Sequence, residues 1–208
     1  MPDWGRQRAA LVDRLGTRDH IDEAVLDALE TVPRHRFVPE GVREEAYEDR
    51  PLPIGEGQTI SAPHMVARMA DLLDLRPGDD VLEVGTGCGY HAAVTAELVG
   101  PDHVYSVEYH EPLAERARET LASLGYDAVS VRVGDGKEGW AEHAPYERAY
   151  LTCAAPSFPP AVVEQLQPGG LLLAPIGGDQ QRLVEARRRA DGSLSAETHG
   201  PVRFVRLQ

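Results

Sequence analysis

The stretch Asp79-Asp80-Val81-Leu82-Glu83-Val84-Gly85-Thr86-Gly87-Cys88-Gly89-Tyr90 decides how the rest of this chain is read. Val81, Leu82 and Val84 are apolar and β-prone, so Asp80–Val84 reads as a short buried strand. Gly85, Gly87 and Gly89 then alternate along a turn, where the lack of side chains lets backbone N–H groups approach a ligand closely. His91–Val99 follows as a helix, whose unpaired N-terminal N–H groups face the same place. A strand, a glycine turn and a helix start together make a cradle for a nucleotide-type cofactor.

Outward from this cradle, strands and helices alternate. Val104–Glu108, Ala128–Val133, Tyr146–Thr152 and the strongly apolar Leu171–Ile176 read as strands. Pro112–Leu124, ended by Gly125, and Pro160–Leu166 read as helices, and Gln167-Pro168-Gly169-Gly170 as a turn. Two more strands, about Arg182–Arg188 and Val202–Leu207, are expected in the tail, joined around Asp191–Gly192. This pattern predicts an α/β fold: a doubly wound, mainly parallel seven-stranded sheet with helices on both faces. Its ligand belongs outside the carboxyl ends of the strands, at the switch point in strand order.

Upstream, residues 3–31 read as two helices broken near Gly16–Thr17, with Asp19 in the capping region of the second. Val32–Gly57 carries Pro33, Pro39, Pro51 and Pro53 with Gly41, Gly55 and Gly57, and is expected to be irregular but packed through Phe37, Val38, Tyr47, Leu52 and Ile54. A helix beginning at Pro63 presents Met65, Val66, Met69, Leu72 and Leu73 on one face, with Ser61 where a capping hydroxyl would sit.

The 208 residues suit one domain, and 42% hydrophobic residues without a long apolar run suit a globular chain. The polar N-terminus shows no secretory pattern, so a cytoplasmic location is expected. A net charge of −13 argues against duplex nucleic acid as a partner. Arg187–Arg189, the one basic cluster, reads as protection of an edge strand. Twenty arginines stand against the single Lys137, a balance suited to a high-salt cytoplasm; a folding midpoint insensitive to molar KCl would remove that idea. Two cysteines, Cys88 and Cys153, offer no disulfide framework or metal spacing, and read as reduced residues near the cradle.

The turn is Gly-x-Gly-x-Gly, which disfavours a nicotinamide dinucleotide and its Gly-x-Gly-x-x-Gly. Glu108 ends the next strand, placed to accept from ribose hydroxyls, and Asp135 in Gly134-Asp135-Gly136 could accept from an adenine amino group or simply stabilise its own turn. His64 and His91 fall in first helical turns and read as polar caps, while Tyr90 and Trp140 read as packing residues near the cofactor edge.

With these features the chain resembles the class I S-adenosylmethionine-dependent methyltransferases, and more closely the protein-L-isoaspartate O-methyltransferases. The resemblance rests on Leu52–Ser61 (Leu-Pro-Ile-Gly-Glu-Gly-Gln-Thr-Ile-Ser), Val81–Tyr90, Gly134-Asp135-Gly136 and Leu166–Gly170, and covers most of the chain. Two departures stand out: Arg206 in Phe204-Val205-Arg206-Leu207, where the family usually has proline, and Cys88 in place of a commoner serine.

The resemblance implies an N-terminal helical extension and substrate-side loop over residues 1–78 and a cofactor-binding core over 79–208, together one domain. It implies S-adenosylmethionine held by Thr59, Ile60, Gly85, Thr86, Gly87, Gly89, Glu108, Tyr109, Asp135 and Gly136, Ser61 at the reaction centre, and no metal. The implied partners are isoaspartyl-containing proteins, met by a monomer that uses neither nucleic acid nor membrane. Two other readings keep the cofactor: a relative that methylates a dedicated peptide aspartate or RNA, and a non-catalytic binding module.

Overall fold

The computed structural model describes residues 2–18 and 20–208; Asp19, expected in a capping region, lies outside the described residues. Two helices open the chain, α1 (Trp4–Arg18) and α2 (Glu23–Thr31). The first runs through Gly16–Thr17, near which a break was expected, and ends at Arg18; the Thr17 hydroxyl donates to the Asp13 and Arg14 carbonyls within its last turn. Asp22 caps α2 by accepting from the Ala24 N–H at 2.9 Å.

The proline-rich segment is more regular than expected. After two 3-10 turns it forms a hairpin, β1 (Leu52–Gly55) with β2 (Gln58–Ile60). Phe37, Val38, Tyr47, Leu52 and Ile54 are buried in the core, as their apolar character requires. Then come α3 (Pro63–Leu72), β3 (Val81–Val84), α4 (Tyr90–Val99), β4 (Val104–Glu108), α5 (Glu111–Ser123), β5 (Ser130–Val133), β6 (Tyr146–Leu151), α6 (Pro160–Glu164), β7 (Leu166–Gly177), β8 (Gln181–Arg188) and β9 (Leu194–Val202).

The main sheet has seven strands in the order β5-β4-β3-β6-β7-β8-β9. The first four pairings are parallel and the last two antiparallel. The chain leaves β3 toward β4 and β5, then crosses to β6 on the other side, so the switch point lies between β3 and β6. One sheet face shares a core with α1 to α5, α4 and α5 lying directly against β4, and the other buries Leu82, Val84, Leu151 and Leu172 with Val162 of α6.

Three expectations about the tail need correction. The last strand is Leu194–Val202 rather than Val202–Leu207; it is a polar outer strand, and no apolar alternation marks it. Arg187 and Arg188 therefore sit on or at the end of an inner strand, since β8 is flanked by β7 and β9. Gln167–Gly170 belongs to β7, accommodated by a register irregularity against β6 rather than by a turn. None of the described helices is long and apolar enough to cross a membrane.

Candidate cofactor and acceptor site

The carboxyl ends of β3, β4 and β6, the segment after β5, the β2 strand and the chain terminus surround one cleft, part of it open to solvent. Of the residues implied by resemblance, Thr59, Ile60, Ser61, Gly85, Thr86, Gly87, Glu108, Tyr109 and Gly136 line it. Gly89 and Asp135 do not.

The glycines of the turn divide their labour. Gly85 has φ +98°, and a Cβ there would lie 2.3 Å from the Thr152 Oγ1. Thr152 is fixed by donating that hydroxyl to the Gly85 carbonyl, so turn and β6 are in direct contact. A Cβ at Gly89 would meet Leu121 at 3.2 Å, so this third glycine lets α4 pack on α5 and begins α4 in a left-handed conformation.

Glu108 is buried at the end of β4 and accepts from the Gly87 N–H at 2.8 Å and from its near neighbour His110 at 2.9 Å. A carboxylate has about four lone-pair positions, so two remain for ligand hydroxyls. Asp135 instead accepts from the Lys137 N–H at 2.9 Å and lies 3.4 Å from the Lys137 Nζ, so its carboxylate serves its own turn. Gly136 beside it forms cleft wall because a Cβ there would strike Val84 at 2.3 Å.

On the opposite wall, Ala62 is the residue that precedes α3, and its side chain makes no cap. Ser61 is therefore not the helix cap, and it lines the cleft. The hairpin carrying it is tied down by the Arg116 guanidinium, which donates to the Ile54 carbonyl at 3.2 Å. His64 is held by Asp49, which accepts from its backbone N–H at 3.0 Å and meets its Nδ1 at 2.7 Å.

Several lining residues were not foreseen: Gln58, Val66, His110, Thr152 and the terminal Val205–Gln208. Tyr90, expected near the cofactor edge, is buried and lines the cleft, whereas Trp140 packs on Tyr105 and Arg132 elsewhere. His91 is no polar cap. It is buried beside Tyr150, neither ring nitrogen has a partner among the described residues, and burial pushes the imidazole down to about 3. An unpartnered buried polar group lining a cleft is what a site that takes a polar ligand would leave. Cys88 and Cys153 both line the cleft as free thiols, pushed up by burial to about 11 and about 12, so both stay protonated and unreactive.

Behind the turn runs a buried polar chain. Thr95 bonds to the Tyr150 hydroxyl, Tyr150 and Ser106 donate to the Glu83 carboxyl, and Thr86 bonds to Ser106. Burial, opposed by those two hydrogen bonds, pushes Glu83 up to about 8, so at neutral pH it is mainly protonated and Glu108 is the acidic residue lining the cleft. Glu83 contributes stability in full below its ordinary 4.5, and loses it as pH rises toward about 8. His91 contributes stability in full above its ordinary 6.5, and loses it as pH falls toward about 3. The two slopes oppose each other between 4.5 and 6.5; above that window Glu83 acts alone. Chemical denaturation over a pH series is expected to show Glu83→Gln gaining on wild type by about 1.4 kcal/mol per pH unit between about pH 5.5 and 7, the gain per unit falling to about half by pH 8. A constant difference over that range would mean Glu83 is ionised in the fold.

The doubly wound sheet, the glycine turn at its switch point and the carboxylate ending the next strand define a class I S-adenosylmethionine-dependent methyltransferase. Comparison with known proteins narrows this. The family model for protein-L-isoaspartate(D-aspartate) O-methyltransferase matches residues 6–208. Protein-L-isoaspartate O-methyltransferase 2 of Archaeoglobus fulgidus is 53% identical over 207 residues, spanning 99% of this chain and 94% of the relative. The Methanothermobacter thermautotrophicus protein-L-isoaspartate O-methyltransferase is also 53% identical, over 97% of this chain and 94% of its own. Among solved structures, one protein-L-isoaspartate O-methyltransferase superposes with a TM-score of 0.89 at 28% identity, over 96% of this chain and 65% of its own. A Plasmodium falciparum structure described as a putative member, in complex with S-adenosyl-L-homocysteine, gives 0.83 at 25% identity over 97% and 98%. The chain belongs to the protein-L-isoaspartate(D-aspartate) O-methyltransferase family.

Proposed function

We propose that one wall of the cleft binds the cofactor while the other positions an acceptor carboxylate. The enzyme transfers a methyl group from S-adenosylmethionine to the α-carboxylate of L-isoaspartyl residues in damaged proteins. The observation that carries this division is the placement of Ser61: it does not cap α3, and it lines the cleft that Gly85, Thr86 and Gly87 also line.

The cofactor supplies an electrophilic methyl group on a sulfonium. Glu108 is assigned to the ribose hydroxyls, with Gly85, Thr86 and Gly87 forming the close backbone wall and Tyr109, more than half exposed, flanking the adenine side. The fit rests on the absence of room for side chains at Gly85 and Gly136, and on the unpartnered nitrogens of His91. Asp135 reaches an adenine amino group only through the face of its carboxylate left free by Lys137. Gly89 contributes by packing.

An acceptor carboxylate is ionised at neutral pH, with an ordinary pKa of about 4, so no general base is required. Catalysis then consists of alignment and exclusion of water, and such positioning contributes about 7–11 kcal/mol in favourable systems. The Ser61 hydroxyl donates to the acceptor carboxylate, while Thr59 and Ile60 close the cleft beside it. Residues 1–78 thus form the acceptor-side cover and 79–208 the cofactor core of one domain. The assigned setting is a cytoplasmic monomer acting on proteins without a membrane partner, and the net charge of −13 supports the exclusion of nucleic acid.

With labelled S-adenosylmethionine and paired peptides containing isoaspartate or aspartate, base-labile methyl ester is expected on the isoaspartyl peptide alone. Equal labelling of both peptides would contradict the assigned acceptor, and no labelling of either would contradict catalysis.

A further inference from the structure

The chain terminus returns to the cleft as an extended segment. The Ala154 N–H donates to the Val205 carbonyl at 2.7 Å and the Leu207 N–H to the Ala154 carbonyl at 2.9 Å, which fixes a parallel bridge centred on Arg206. Side chains alternate along extended backbone, and Val205 and Leu207 pack on the core. Arg206 is turned away from that packing and is exposed, and with Val205, Leu207 and Gln208 it lines the cleft. It is the one arginine or lysine among the lining residues described. Its side chain is 70% exposed, and its recorded ion pair is with the Asp179 carboxylate at 2.9 Å, itself 96% exposed. One contact of this kind leaves most of the guanidinium's five donors unused, and so exposed a pair exchanges readily for another carboxylate.

The surroundings make this cation matter. An anionic acceptor must enter a cleft holding Glu108, in a protein of net charge −13. An arginine offers a planar fork matched to a carboxylate. We propose that Arg206 is a specificity residue: it selects isoaspartyl sites flanked by an aspartate or glutamate, whose carboxylate takes the place of Asp179. This rests on the acceptor assigned above and adds a preference to it.

The test measures kcat/KM for isoaspartyl peptides carrying Glu, Gln or Lys beside the isoaspartate, with wild type, Arg206→Gln and Arg206→Glu. The readout is the Glu-to-Lys ratio within each enzyme, which is independent of any overall loss of activity. Wild type is expected to favour the Glu peptide by about three- to five-fold at low ionic strength, with the ratio approaching one in about 1 M KCl. Arg206→Gln is expected to remove the preference and Arg206→Glu to invert it. Equal ratios in wild type, with both peptides methylated, would overturn the role of Arg206 and leave the acceptor assignment standing. A Glu preference retained in Arg206→Gln would overturn it as well. Failure of every isoaspartyl peptide to be methylated would overturn the acceptor assignment and this inference with it.

Discussion

Gly85→Ala is expected to abolish measurable cofactor binding and to lower unfolding stability by about 2–6 kcal/mol. Two costs combine. A non-glycine residue held at φ +98° carries backbone strain of about 1–3 kcal/mol. The new Cβ would also lie 2.3 Å from the Thr152 Oγ1, and that side chain is β-branched and bonded to the turn it would have to leave. Overpacking of this sort costs about 1–3 kcal/mol. The two costs can be separated: Gly85→Ala with Thr152→Ala removes the clashing oxygen and leaves the strained φ. The double variant is expected to recover the packing part only, as read by urea denaturation and calorimetric titration with S-adenosylhomocysteine. Full recovery would place the whole cost in the clash. A single variant with wild-type stability and affinity would show that the turn is not formed as described.

Glu108→Ala is expected to weaken S-adenosylhomocysteine binding by at least about 100-fold. The carboxylate orders the turn through the Gly87 N–H and shapes the next segment through the His110 N–H. Hydrogen bonds to charged groups contribute about 1.5–3 kcal/mol each, and about 1.4 kcal/mol is a factor of ten in affinity. Losing the turn contact and the ribose contacts together therefore exceeds two decades. Glu108→Gln keeps one acceptor oxygen and is expected to lose about ten-fold. Equal losses in the two variants would show that charge, rather than acceptor geometry, holds the ligand.

The part of the site legible in the sequence is the part made locally. A strand, a glycine turn and a helix start are contiguous, so Val81–Tyr90 announces its own geometry, and Glu108 follows because it ends the neighbouring parallel strand. What was missed is built by distant segments. Thr152 looks like any residue after an apolar strand until β6 pairs with β3 and brings it against Gly85. The terminal Val205–Gln208 enters the cleft only through its bridge to Ala154. His91 was misread because a polar residue in a first helical turn ordinarily caps or faces water, and burial by the surrounding fold cannot be seen in the helix itself. The last strand was misplaced because Leu194–Val202 lies at the sheet edge with most residues exposed, so it lacks the alternation that marks a half-buried strand. Asp135 was ambiguous from the outset: the short side chain beside Gly136 bonds to its own turn, whatever else it does.

The division of the cleft into a cofactor wall and an acceptor wall is tested most directly at Ser61. For Ser61→Ala, the affinity for S-adenosylhomocysteine is compared with the single-turnover rate of methyl transfer to an isoaspartyl peptide. The affinity is expected to stay within about two-fold of wild type, while the rate falls about ten-fold, the loss of one orienting hydrogen bond. Parallel loss of affinity and rate would place Ser61 on the cofactor wall and contradict the division.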